Sequence, residues 1–224
     1  MAKTLSQSAR ASQKPAGLAT TCDIHRPKPD TMRLWTIQPP FVWTTLQAEG
    51  RLLVDPNHPD VTDSIADFGH AYRWMREQMA KRIPGYTGNL PWWAYEHFLD
   101  LRRYRWHTLP QGQPWVRLEL AVPNERVLLS AYGAWHYVLG RGYLPESIAS
   151  EGCDWEEEAW QEEAARHGIH VNQQTPLVEP WETRLQASWE RVFDVEARRS
   201  TETIQATFER LELAEVVRVT EFTT

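Results

Sequence analysis

The polar residues that could do chemistry in this chain lie on a strand face and not in a compact motif. In the segment TIQATF, alternation points Ile204, Ala206 and Phe208 to one face of a strand. Gln205 therefore points to the other face, as a polar side chain in a short strand that we expect to be central in its sheet. Such a glutamine either meets solvent or lines a cleft, where its amide can hydrogen-bond a ligand.

His136 is the second candidate, because it lies between Trp135 and Tyr137 in a segment that is otherwise apolar. A single histidine in that setting is either a core residue with a hydrogen-bonded ring or a catalytic base, since its charge changes near neutral pH. The sequence leaves both interpretations open.

Tryptophan is the third unusual feature, with 12 among 224 residues. An indole packs a large apolar body, but its N–H needs a hydrogen-bond partner. This abundance is typical of bulky core packing, and it would equally suit an aromatic-walled pocket for a planar ligand.

Several catalytic and metal-binding signatures are missing from the sequence. The GRG at residues 140–142 lacks the third glycine and the preceding strand of a phosphate-binding loop, and no GxSxG or HExxH occurs. His167 and His170 are separated by Gly168, which argues against a metal-binding helix face. The acidic run Glu156–Glu158 is typical of a solvated helix face. We therefore expect no bound metal.

Charge is distributed unevenly along the chain, whose net charge is −6. Residues 1–31 hold five basic and two acidic side chains, a net of +3, which leaves −9 for residues 32–224. An acidic folded unit repels phosphate backbones unless it segregates a basic face. The balance therefore disfavours nucleic acid as the main partner.

The cysteines and the apolar runs indicate the cellular setting. Cys22 and Cys153 are far apart and form no CxxC pair, so neither a disulfide framework nor a zinc site is indicated. No apolar run approaches the roughly 18 residues that a membrane span needs, and residues 1–31 lack the apolar core of a secretory signal. These features predict a cytoplasmic protein without a membrane partner.

The elements that must position the polar residues begin after a basic arm. Residues 1–31 are rich in Ser, Ala, Thr, Pro and Lys and have no apolar period, which predicts disorder. RLWTIQ then alternates as a strand and places Thr36 and Gln38 on one face. Two prolines end that strand, a short helix follows over Phe41–Glu49, and Gly50 has the usual position after a helix end.

The second helix has the clearest pattern in the chain. Asp63 or Ser64 is expected to cap it, apolar residues recur at steps of three and four as far as Met79, and Pro84 stops it. The segment NLPWWAYEHFLDLRRYRWH follows and mixes aromatic rings with arginines. Such a mixture can stack on nucleic-acid bases or can serve ordinary packing.

The remainder of the chain mixes strands and helices without regular βαβ alternation. PWVRLELAVP and ERVLLS read as strands, AYGAWHYVL as a helix that ends at Gly140, and DWEEEAWQEEAARHG as an acidic helix. Residues 168–180 read as a loop, EPWETRLQASWERVF as a helix, and TIQATF and EVVRVTEF as closing strands. We predict an α+β fold in a single domain over residues 32–224.

The order of motifs resembles an uncharacterised bacterial family of cytoplasmic proteins that is catalogued only as a domain of unknown function. The motifs are LWTIQ, YRWM..QM, DLR, VRLE, WHYVL, SWERVF and IQATF, and the similarity runs from Met32 to about Phe222. The resemblance names a family and implies no activity.

A second resemblance is architectural and links the chain to ADP-ribosyltransferase-type toxins. An opening strand, a helix that ends in glycine, a helical middle and closing strands with a polar residue look like that fold, in which NAD lies between two small sheets. The resemblance implies that Thr36 and Gln38 hydrogen-bond the ribose or amide of NAD. It also implies that Trp93 or Tyr95 stacks on the planar ring and that Gln205 holds the ribose hydroxyls.

The same resemblance assigns the remaining roles. Arg82 or Arg102 would neutralise the diphosphate as a bidentate donor, and His136 would orient a group or act as a base. Because Gln205 carries no charge, the carboxylate that steadies a developing cation would come from Glu209 or Glu119. The implied protein is a NAD-dependent toxin or defence effector.

Two other functions remain open at the level of sequence. LWTIQPPFVWTTLQAEG also resembles the opening of PUA-like RNA-binding modules, although the Gly-Lys step of those modules is replaced here by Gly50 and Arg51. Alternatively, the protein is a non-catalytic interaction module that docks through its tryptophans, since Trp is enriched in binding hot spots.

Overall fold

The computed structural model describes residues 30–98, 112–146, 154–171 and 175–224, and the predicted α+β class is confirmed. Within these ranges the strands are β1 (Thr31–Gln38), β2 (Arg51–Leu53), β3 (Trp92–Tyr95), β4 (Pro114–Pro123), β5 (Leu128–Ala131), β6 (Ile204–Phe208), β7 (Arg210–Glu212) and β8 (Val216–Thr223). The helices are α1 (Pro40–Glu49), α2 (Pro59–Arg82), α3 (Tyr132–Leu139), α4 (Asp154–Arg166), α5 (Trp181–Trp189) and α6 (Val195–Arg198). Residues 1–29 of the predicted arm lie outside the described residues.

The strands form two antiparallel sheets of unequal size. The larger has the order β5-β6-β3-β1-β4-β8, and the smaller pairs β2 with β7. β1 lies between β3 and β4, and its full length pairs with β4, from Thr31 opposite Pro123 to Gln38 opposite Val116. The opening strand is therefore flanked on both sides.

Two apolar clusters cover the larger sheet. One contains Leu34 of β1, Leu118 and Leu120 of β4, and Leu46 of α1. The helix α1 ends where predicted, at Gly50, whose φ of 76° is favourable only for glycine and whose amide donates to Leu46 O at 2.9 Å. The other cluster packs α2, α3 and α5 against the β5-β6-β3 side of the sheet.

The long helix α2 is the element that both concavities described below share. It begins at Pro59, earlier than the predicted caps Asp63 and Ser64, because proline is well suited to the first helical position. Its backbone leaves helical dihedrals at Phe68 (φ −125°, ψ 24°), so the helix bends there. It ends at Arg82, and Pro84 follows as predicted.

Other boundaries agree with or refine the sequence analysis. α3 ends before Gly140 as expected, and the ERVLLS strand is shortened to β5 by a 3-10 turn over Asn124–Arg126. Three short strands, β2, β3 and β7, had no clear alternation and were missed. In the described ranges, none of the helices combines the length and the apolar character required to cross a membrane.

Candidate functional site

A concavity of about 250 Å³ lies where β1 ends and β3 begins, against the first half of α2. We call it the Trp93 pocket. Its lining residues are Gln38, Val54, Asp60, Val61, Ser64, Ile65, Tyr72, Leu90, Pro91, Trp92 and Trp93. The antiparallel pairing of Trp35 with Tyr95 brings these strand ends together, so two of the predicted ligand-binding residues, Gln38 and Trp93, share one pocket.

A short hydrogen-bond chain fixes the polar side of the pocket. Thr36, which is 3% exposed, donates from Oγ1 to the carbonyl oxygen of Trp93 at 2.8 Å. Gln38 Nε2 donates to the same Thr36 oxygen at 2.8 Å. A hydroxyl has one proton and accepts as well as donates, so both bonds are satisfied together. The second N–H and the carbonyl oxygen of the Gln38 amide are then available to a ligand.

The walls of the pocket are aromatic. Tyr72 meets Trp93 edge to face with 6.3 Å between ring centroids, and Trp93 packs on Trp135 at 5.1 Å. Burial raises the pKa of Tyr72, and a hydrogen bond with Ser64 offsets only part of this rise, so the phenol stays protonated. The indole N–H of Trp93 is buried and has no partner among the described residues.

Glu209 anchors the loop that leads into this wall. Its Oε1 accepts from the amide and hydroxyl of Thr87, at 2.9 and 2.7 Å, and from the amide and side-chain N–H of Asn89, at 3.1 and 3.0 Å. Burial alone would raise the pKa of Glu209, but these donors outweigh it and lower that pKa below its ordinary value. Glu209 therefore holds a loop in place, and Glu119 pairs with Arg33.

Gln205 does not join Thr36 and Gln38, so the expectation that these residues converge is wrong. Gln205 pairs with Tyr95, which pairs with Trp35, and directly opposed residues share a face of the sheet. Thr36 and Gln38 alternate with Trp35 and lie on the other face. Trp93 shares the face of Gln205, and it joins Gln38 only at the end of the sheet, where both residues line the pocket. Gln205 is 4% exposed, and its Nε2 donates to Ser130 Oγ at 3.2 Å.

Tyr95 and His136 contribute to a separate aromatic group at the surface, which the sequence did not distinguish from the Trp93 pocket. Tyr95 lies 6.0 Å from Tyr132, and Tyr132 meets the His136 ring at 4.7 Å. His136 is exposed and hydrogen-bonds the carbonyl oxygen of Tyr132 through Nδ1 at 2.9 Å. It is neither a core residue nor part of the Trp93 pocket.

Of the two arginines predicted to bind phosphate, the described one, Arg82, does not line the pocket. Arg82 ends α2, bonds to Glu190 and Gln78, and lies 4.4 Å over the Phe193 ring. It is ten residues beyond Tyr72, about 15 Å along a helix. Arg102 lies outside the described residues.

The charge of the pocket defines the ligand chemistry that it can take. Its described lining contains one charged residue, Asp60, at the rim, and no basic side chain. Aromatic faces attract cations, so the pocket suits a neutral or positively charged planar ring. Sequence analysis missed Tyr72 because the apolar period of α2 marked it as core, and it missed Asp60 because that residue precedes the predicted start of the helix.

The described residues contain no group of three or more His, Cys, Asp or Glu side chains that could hold a metal ion. No curated protein and no solved structure matches the chain. The model of one protein family matches residues 33–217, which is most of the chain. The chain therefore belongs to the family described as Domain of unknown function (DUF3841).

Proposed function

We propose that this protein binds a nucleotide-type small molecule, with NAD as the first ligand to test, and that it acts as an ADP-ribosyltransferase-like protein. The observation that carries the proposal is the meeting of Gln38 and Trp93 in one aromatic-walled pocket. Ligand pockets are typically lined by aromatic and apolar side chains, with a few polar groups that orient the ligand.

Size and charge support a ring-binding role. At about 250 Å³ the pocket is smaller than the roughly 300–1,000 Å³ of pockets that enclose a drug-sized ligand. It would therefore enclose one ring and leave the rest of a dinucleotide outside. The nicotinamide ring of oxidised NAD is positively charged, which suits the Tyr72 and Trp93 faces and the Asp60 carboxylate. The Gln38 carbonyl would accept from the ring carboxamide.

Calorimetry with NAD tests the proposal, with Gln38→Leu as the variant and Gln47→Leu as its matched control. Gln47 is exposed on α1 and outside the pocket lining. We expect Gln38→Leu to weaken NAD binding five- to tenfold, because one hydrogen bond contributes about 1 kcal/mol. Gln47→Leu should bind as the unmodified protein does. Equal affinities of the two variants would contradict the proposal.

The same titrations with a short RNA separate the alternative functions. RNA binding that weakens steeply with salt, without NAD binding, would replace this proposal with an RNA-binding function. If calorimetry detects no binding of NAD or of RNA, the non-catalytic interaction module would be the remaining function. If NAD binds, release of nicotinamide over time tests transfer of the ADP-ribosyl group, and its absence would limit the function to binding.

A further inference from the structure

A larger cleft lies on the other side of α2, and the proposed function does not involve it. Its volume is about 730 Å³, within the range of roughly 300–1,000 Å³ that is typical of small-molecule sites. Its walls come from α2 around the bend at Phe68, from Arg141 just after α3, and from α5 with the residues before it. We call it the bend cleft.

His70 contributes a hydrogen-bond acceptor to this cleft. Its Nε2 lies 2.9 Å from the carbonyl oxygen of Val138. A carbonyl only accepts, so Nε2 carries the proton of the neutral ring and Nδ1 has the lone pair. Burial lowers the pKa of His70 from its ordinary value of 6.5, although the bond to Val138 opposes this, so the neutral ring prevails at pH 7.

Arg141 contributes a buried donor that no described residue uses. It is 3% exposed, and its guanidinium binds Glu182 at 2.5 Å through Nη2. Its Nε–H is buried and has no partner among the described residues. Its φ of 53° is in the left-handed region that a non-glycine residue rarely adopts, and such conformations concentrate at functional sites.

The charges around the cleft nearly balance. The lining holds two guanidinium groups, of Arg73 and Arg141, and three carboxylates, of Asp67, Glu77 and Glu182, and His70 is neutral. The excess of negative charge disfavours a phosphate. A hydroxyl group, which donates as well as accepts, suits a lining that holds both acidic acceptors and guanidinium donors.

The floor of the cleft is apolar. It is formed by the indoles of Trp74 and Trp189, which meet edge to face with centroids 5.7 Å apart. Both indoles are almost fully buried, so they offer a ligand only a narrow apolar surface, on which C–H groups of a sugar ring can rest while the polar rim binds its hydroxyls. We propose that the bend cleft is a second ligand site, which takes a neutral cyclic polyol: a free sugar or the ribose of a nucleoside.

Binding of D-glucose, D-ribose and adenosine, followed by ligand-observed NMR and calorimetry, tests the site, with inorganic phosphate as the anionic probe. His70→Gln is the informative variant, because a glutamine N–H can replace Nε2 on Val138 O while the acceptor at Nδ1 is lost. His136→Gln is its control, since His136 is exposed and outside the cleft lining.

We expect at least one polyol to bind, His70→Gln to weaken that binding about tenfold, and His136→Gln to leave it unchanged. Glucose or ribose alone identifies a sugar site, and adenosine alone identifies a nucleoside site. The proposal is overturned if no polyol binds, if phosphate binds or displaces the polyol, or if His70→Gln binds polyol as the unmodified protein does. The two proposals are tested separately, because NAD binding and Gln38→Leu report on the Trp93 pocket, whereas polyol binding and His70→Gln report on the bend cleft. The polyol test therefore remains valid even if NAD does not bind.

Discussion

The Trp93 pocket and the bend cleft lie on two sides of α2 and are built from different kinds of residue. The pocket has aromatic walls, one short hydrogen-bond chain between uncharged groups, and one unpartnered indole N–H, that of Trp93. The cleft has charged side chains from three separate segments, and Arg141 keeps an unused donor. Shape and packing therefore dominate the first site, and electrostatics dominates the second.

The largest expected effect is the loss of the buried ion pair beside the bend cleft. Arg141→Met leaves the Glu182 carboxylate without its guanidinium, and its remaining donors, the Leu177 amide and Gln186, only partly replace it. Breaking a buried pair by removing one partner costs about 3–5 kcal/mol. Urea unfolding should show a decrease in the free energy of unfolding of that order.

Arg184→Met is the matched control for this prediction, because Arg184 pairs with Glu163 at the surface. Exposed pairs contribute little to stability, so its urea midpoint should stay close to that of the unmodified protein. If the two variants were equally destabilised, the claim that electrostatics distinguishes the bend cleft would fail.

The next effect concerns the wall of the Trp93 pocket. Glu209→Gln keeps the shape of the side chain but removes the charge that four N–H and O–H donors of Thr87 and Asn89 share. Hydrogen bonds to charged groups contribute about 1.5–3 kcal/mol, so we expect a loss of that order in the free energy of unfolding. NAD affinity should also fall, and binding in the bend cleft should not. A variant that lost polyol binding and kept NAD binding would reverse the assignment.

Lowering the pH should reduce the stability that Glu182 and Glu209 provide at the two sites. The loss should be smaller than that caused by a substitution that removes a charge completely. Burial would raise the pKa of Glu182, but the Leu177, Gln186 and Arg141 donors lower it, as Thr87 and Asn89 lower that of Glu209. A lowered folded-state pKa gives stability that is complete above the ordinary value of 4.5 and is lost as pH falls through the folded pKa. Urea midpoints should therefore fall below pH 4.5, and less steeply in Glu209→Gln. If the urea midpoint of Glu209→Gln fell with pH as steeply as that of the unmodified protein, the role of Glu209 in holding the loop would be contradicted.

The smallest effect is predicted at Gln205, which lies outside both concavities. Gln205→Leu removes the donor to Ser130 Oγ and should cost about 1 kcal/mol of unfolding free energy. Adding Ser130→Ala should recover part of this loss, because a buried pair replaced by apolar groups leaves no unsatisfied partner. NAD binding should persist in both variants. Its disappearance from a folded Gln205→Leu protein would return Gln205 to the ligand site.

Sequence reasoning reached the Trp93 pocket only in part. Alternation in RLWTIQ correctly placed Thr36 and Gln38 on one face of a strand. The face of Gln205 depends on its register with Tyr95, more than 100 residues earlier in the chain, and no local period contains that information. The periodicity of α2 likewise marked Tyr72 as apolar but did not show that a pocket opens beside it.

The bend cleft was outside the reach of local patterns. His70, Arg141 and Glu182 belong to three segments that meet only when α2, α3 and α5 pack together. The GRG at residues 140–142 lacks the pattern of a phosphate loop, but its arginine is the buried donor of the cleft. A left-handed non-glycine residue leaves no mark in composition or periodicity.

Because α2 is a wall of both concavities and Ile65 lines each of them, the two sites are candidates for thermodynamic linkage. A ligand that displaces this helix on one side changes the affinity of the other side, and the same factor must apply in both directions. A tenfold change would correspond to a coupling free energy of about 1.4 kcal/mol. Two ligands that make no contact with each other would then influence each other's binding through the helix that bends at Phe68.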